Sequence, residues 1–258
     1  MKRSAMHSVL RASIFLLVFP VLLIQTESVH AQVVIRPSLG LQSMAFIGEP
    51  PAALPISPGS ERELPLGGGI MGAHAGFRLQ FEAFFPKNDL LRLPISIEYF
   101  MLNGKTTFAL SSFQAPRKQL LTFTHEANIA TTNIGLTASF FELPSFYVTA
   151  ELKGVYMFET ELRSRIFYSD NHETTASYSS HPAHGTFRIG GFAKIGSQVE
   201  FFEPFLLDFN AGVGTLNLLL KETDPNKRRD ILVVDPTRHD PEQTVQYFSL
   251  GMTLVWKL

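Results

Sequence analysis

Three groups of residues have types and spacings that could do chemistry. His125 stands beside Glu126, with Thr122 and Thr124 just upstream. An imidazole that takes a hydroxyl proton and a carboxylate that orients it are parts of a hydrolase or acyltransferase. Adjacent residues on a strand point to opposite faces, however, so these two cannot easily serve one another. His172, His181 and His184 fall in the stretch 160–185. Two histidines three residues apart can share a metal, but the Ser, Thr and Tyr around them favour a solvated loop. Lys227, Arg228 and Arg229 sit among Asp224, Asp230 and Asp235. Such a run could contact phosphate groups through charge-assisted hydrogen bonds, and a charge-mixed exposed loop is its plainer reading. Gly67-Gly68-Gly69 lacks the spacing and the following helix of a phosphate loop. No catalytic, cofactor or metal residue is assigned.

Composition narrows the classes. The 258 residues contain no Cys, which removes disulfides, thiolate metal sites, a cysteine nucleophile and a lipid-bearing cysteine. Net charge is −1, with no long basic stretch to suggest nucleic acid. Charged residues make up only 17% and there are 23 Phe, a balance suited to a surface that meets something other than water. Lys2, Arg3 and Arg11 precede an apolar core from Ile14 to Ile24, and Val29-His30-Ala31 suits a cleavage site. Residues 1–31 are therefore expected to be a signal peptide, since that core is too short to span as a helix, which needs about 20 residues.

From residue 32 onward, period-two alternation recurs. Between Ile70 and Phe85, one face carries Met71, Ala73, Ala75, Phe77, Leu79, Phe81, Ala83 and Phe85; the other carries His74, Arg78, Gln80 and Glu82. Phe146–Phe158, Phe187–Phe201 and Phe248–Leu258 repeat it, with weaker cases at 33–44, 91–103, 128–141 and 205–219. That predicts eight strands of about 12 to 16 residues, enough for a tilted crossing of about 9 to 11. Long connections are expected at 46–68, which holds Pro50, Pro51, Pro55 and Pro58, and at 104–124, 160–185 and 221–244. Short ones fall at Pro86–Asp89, Leu143–Ser145 and Glu203-Pro204. Four long links opposite three tight, proline-marked turns is a transmembrane-barrel layout with both ends on the short-turn side.

The polar face decides which side is wet. It would gather Arg36, Arg78, Glu82, Arg92, Glu98, Glu151, Lys153, Arg188, Lys194, Glu200, Asp208 and Lys257, seven basic and five acidic groups. Paired inside a barrel these are tolerable; facing hydrocarbon each would cost several kcal/mol. Aromatics cluster at the short turns (Phe84, Phe85; Phe140, Phe141, Phe146, Tyr147; Phe201, Phe202, Phe205), as an interfacial girdle requires.

The signal, the alternating strands and the long-short connections resemble the small outer-membrane β-barrels, typified by the OmpA membrane domain and OmpX-like, porin-family proteins. The segment Tyr247 to Leu258 is similar to their last strand, which the barrel-assembly machinery recognises; that family usually ends in an aromatic, whereas here Trp256 precedes Leu258 by two. The resemblance implies an all-β fold, an eight-stranded antiparallel up-and-down transmembrane barrel over 32–258 in the cell outer membrane. Its expected surroundings are outer-membrane lipids, lipopolysaccharide and an unknown extracellular partner, with no cofactor. The expected role is structural or surface-interacting through the outer loops. The alternatives are a narrow channel or hydrophobic-ligand transporter, and after them a lipid-modifying enzyme.

Overall fold

The computed structural model describes residues 33–48, 53–54, 67–85, 88–112, 115–140, 145–168, 173–180, 187–219 and 243–257. They form β1 (Val34–Ile47), β2 (Ala53–Leu54), β3 (Gly67–Gly68), β4 (Ala73–Phe85), β5 (Asn88–Ser112), β6 (Ala115–Ser139), β7 (Ser145–Tyr168), β8 (Glu173–Ser180), β9 (Phe187–Phe202), β10 (Phe205–Thr215) and β11 (Gln246–Trp256). Antiparallel pairing runs β1–β4–β5–β6–β7–β9–β10–β11, and β11 pairs back onto β1 from Ser38↔Val255 to Ile47↔Gln246. Eight strands thus close a ring with no open edge among them. A closed ring satisfies every ladder group in a solvent that offers none. The remaining strands belong to connections: β2 and β3 pair with one another over two residues each, and among the described residues β8 pairs only with the far end of β7.

Each strand has two faces in different surroundings. On β4, Phe77 is 54% exposed and its neighbour Arg78 only 1%. On β11, Phe248, Leu250, Met252, Leu254 and Trp256 face out while Tyr247, Ser249, Thr253 and Val255 are buried. Water would select the reverse, since exposed apolar area costs about 25 cal/mol per Å². Acyl chains select what is observed. No helix among the described residues is long and apolar enough to cross a membrane.

The belt has a legible upper limit. On β5 the outward residues Leu91, Leu93, Ile95, Ile97, Tyr99 and Met101 are apolar or aromatic, and Asn103 and Lys105 follow. On β6 the outward change comes at Asn128 and Glu126. The ladders do not stop there. β5 and β6 stay paired up to Ser112↔Ala115, β6 and β7 up to Gln119↔Tyr168, and β8 adds a fourth strand beyond the belt. The expected loops at 104–124 and 160–185 are therefore largely strand, and the ring strands run from 11 to 25 residues instead of 12 to 16. Above the belt there is no hydrocarbon to demand an apolar face, so alternation fades while pairing continues.

Candidate functional site

The chemistry of the chain converges inside the ring, in three layers set by inward positions. Nearest the short turns, Arg36 lies 3.9 Å from the Phe84 ring centre and Arg92 lies 5.1 Å from it. Arg92 also faces the Tyr147 ring at 5.9 Å, donates to Gln198 Oε1 at 2.8 Å and to Ser139 Oγ, and stands 3.7 Å from Glu82. Tyr147 and Asn210 both donate to Asp208 Oδ1, at 2.8 and 2.9 Å. Cations over ring faces recover electrostatic energy that burial would otherwise remove.

The middle layer is ionic. Arg78 bridges two carboxylates, at 2.8 Å to Glu98 and 2.5 Å to Glu151. Lys153 reaches the other Glu98 oxygen at 2.5 Å, and Lys194 reaches Glu151 at 2.8 Å. Thr131 donates to Glu98 at 2.9 Å. Gln42, with its amide turned to satisfy both, lies 3.0 Å from Glu98 and from Arg78. Strand register makes this possible, because Arg78 and Glu98 are direct cross-strand partners, as are Glu98 and Thr131. Removing one partner of such a pair strands a charge that water cannot reach, typically costing about 3–5 kcal/mol.

Toward the long connections the lining turns apolar. Met44, Phe100, Leu102, Ala127, Ile129, Val155, Met157, Phe192 and Tyr247 pack with residues of the connections: Ile70 from the first, Leu216 and Val245 from the last. Lys153 spans the junction, 4.5 Å from the Phe192 ring centre, which is stacked on Tyr247 at 5.6 Å. The two described ends of the last connection are bonded to one another. Leu216 N donates to Val245 O at 2.9 Å, Val245 N to Asn217 Oδ1 at 2.7 Å, and Asn217 Nδ2 to Gln243 O at 2.5 Å. The first is seated by shape: a Cβ at Gly104 would overlap the Gly69 carbonyl oxygen. Gly69 and Gly72, at φ +80° and +90°, make the turn that aims Ile70 inward.

Most of the charges assigned to the polar face lie where the alternation put them. Arg78, Glu82, Arg92, Glu98, Glu151, Lys153, Arg188, Lys194 and Asp208 are buried inside the ring. Glu200 and Lys257 are not; they pair with each other at 3.2 Å on the exposed rim, where β9 and β11 approach the short-turn end. Glu151 holds Arg78 and Lys194, and Lys153 belongs to Glu98. Phe84 and Tyr147, expected in the girdle, point inward because their registers place them beside Arg36 and Arg92. Phe201, Phe202, Phe205 and Trp256 do form an outward aromatic chain, with ring centres 4.9, 5.0 and 6.0 Å apart in turn. His125 is buried and Glu126 exposed, on opposite faces of β6. Thr122 and Thr124 are part-buried. The signal peptide, Pro50, Pro51, Pro55, Pro58, Phe141, His172, His181, His184, Asp224, Lys227, Arg228, Arg229, Asp230, Asp235 and Leu258 lie outside the described residues. The side chain of Phe85 does too. The apolar layer escapes a period-two reading, which sorts a face by its charges and passes over Phe100, Ile129 and Val155 on the same side.

No protein-family model and no curated protein sequence matches the chain. Solved structures similar to it include Neisserial surface protein A, at 10% identity and TM-score 0.35 over 89% of this chain and 100% of that one. Ail, the attachment invasion locus protein of Yersinia pestis, is 8% identical with TM-score 0.33 over 88% and 99%. A Pseudomonas aeruginosa FadL homologue is 9% identical with TM-score 0.20 over 87% and 90%. By its own ring of eight strands and outward apolar belt, the chain has the architecture of a transmembrane up-and-down β-barrel.

Proposed function

We propose that the chain is exported by residues 1–31, inserts in the outer membrane among its lipids and lipopolysaccharide through the barrel-assembly machinery, and serves as a closed anchor for a surface-interaction platform. The observation that carries this reading is the length of β5, β6 and β7, at 25, 25 and 24 residues. A tilted crossing uses about 9 to 11. The surplus, with β8, stands beyond the belt as a four-stranded sheet whose outer edges lie on β5 and β8. An edge strand presents unpaired N–H and C=O groups that an extended partner segment can join. A packed ionic and apolar lumen beneath it favours anchoring over conduction. The role is non-enzymatic in this reading, since His125 and Glu126 sit on opposite faces.

Two measurements test it. Planar-bilayer recording of the refolded chain should give no discrete conductance steps; steps would overturn the closed anchor. Cells displaying the full chain should attach to immobilised matrix proteins or glycans more than cells displaying a barrel whose β5–β6 and β7–β8 extensions are replaced by tight turns. Equal attachment by both would overturn the platform.

A further inference from the structure

The two connections that cap the lumen are held by different means. Leu216 and Val245 are tied by the Asn217 hydrogen bonds, whereas among the described residues the turn Gly69–Ile70–Met71–Gly72 is held by the burial of Ile70, by the Gly69–Gly104 contact and by one long hydrogen bond from Thr106 Oγ1 to Met71 Sδ at 3.8 Å. Two histidines stand near that second seat. His125 is directly across from Gly104 in the β5–β6 register, is 1% exposed, and neither ring nitrogen has a hydrogen-bond partner among the described residues. His74, two residues after the turn, is 2% exposed; its Nδ1 accepts from the Asn103 main-chain N–H at 3.2 Å, and its buried Nε2 has no partner among the described residues.

We propose that the outer cap is acid-responsive: protons taken up by His125, with His74 in support, drive the Gly69–Gly72 turn out of the barrel mouth. Among the described residues no countercharge faces these rings. In register, Gly104 of β5 and Leu162 of β7 lie across from His125; Gly69 and Ile70 of the connection pack against Gly104; on β6 the same-face neighbours of His125 are Phe123 and Ala127. Lys105, Glu126 and Arg163 are exposed on the other face. Beside His74 are Met44 and Phe46 of β1. The titratable groups deeper in the same wall are Tyr247 of β11, Lys153 of β7 and Arg78 of β4, and both cations are committed to Glu98. Among the described residues a charged imidazole there has no partner, and moving the turn aside would open its side of the ring to water.

The direction of the pH effect follows. His125 lies just above the belt, and burial holds its imidazole down at about 4, against 6.5 when solvated. The closed cap therefore refuses a proton that the open cap accepts, so opening becomes easier as pH falls from about 6.5 toward about 4 and is unaffected above that window. One such histidine shifts the opening equilibrium on the order of 50-fold between about pH 7.5 and about pH 4.5.

With no native cysteine in the chain, a single introduced thiol reports the cap. In Ile70→Cys, the rate of reaction with 4,4′-dithiodipyridine is divided by that of Met71→Cys, whose position is already exposed. This ratio is expected to rise tens-fold between about pH 7.5 and about pH 4.5. Adding His125→Gln should remove most of the rise, and His125→Gln with His74→Gln the rest. A flat ratio in the histidine-intact chain overturns the proposal, and so does a rise that survives the double substitution. Amide exchange at Ile70 in the unsubstituted chain, corrected for intrinsic pH dependence, reads the same opening without altering the cap: faster opening at low pH sustains the proposal and unchanged opening refutes it.

Discussion

The ionic middle and the apolar cap fill the same lumen with opposite chemistry. In the middle, Arg78, Lys153 and Lys194 answer Glu98 and Glu151 at 2.5 to 2.8 Å. In the cap, Phe100, Ile129, Val155 and Met157 exclude water by packing alone. The first is specified pair by pair, so a single loss strands a charge. The second is specified by volume, so a single loss opens a cavity that neighbours partly refill. A barrel wall can carry both because it turns every second residue inward, whatever that residue is.

The contrast can be broken from either side. Glu98→Leu is expected to do the most damage, about 4 kcal/mol of unfolding free energy, because Arg78 and Lys153 lose their shared partner. Urea unfolding in detergent micelles measures it; a loss under about 1 kcal/mol would mean that the charges are hydrated and not paired. Next comes Phe100→Ala in the cap, at about 3 kcal/mol by the same assay, with no dependence on ionic strength. Asn217→Ala should cost about 1–2 kcal/mol by leaving the Val245 N–H and the Gln243 carbonyl unsatisfied. Smallest is Lys257→Ala at the exposed rim, below about 0.5 kcal/mol and screened away by salt. A rim effect as large as that of Glu98 would erase the distinction between buried and exposed pairs.

Much of this was legible in the chain. Phe77 beside Arg78 and Leu152 beside Lys153 announce two faces, and prolines at 86, 144 and 204 punctuate the short turns. Alternation alone could not reveal that Lys153 meets Glu98 while Glu151 meets Lys194, because strand stagger decides which inward residues share a level. Nor could it find the extension of β5 and β6, where Thr106, Thr107, Thr122 and Thr124 interrupt any apolar period. Gly104 is legible only afterwards. A glycine in a strand marks some close approach, and the sequence does not say that the approaching group is Gly69, remote along the chain and adjacent in the fold.

Everything rests on the direction in which the two faces look. Nitroxides on Phe77→Cys, Leu152→Cys and Leu254→Cys, in a chain with no other cysteine, report it directly once the protein is reconstituted in bilayers. Frequent collisions with dissolved oxygen and few with a water-soluble nickel chelate are predicted at all three sites. Ready access of the chelate to those positions would contradict a lipid-facing apolar belt.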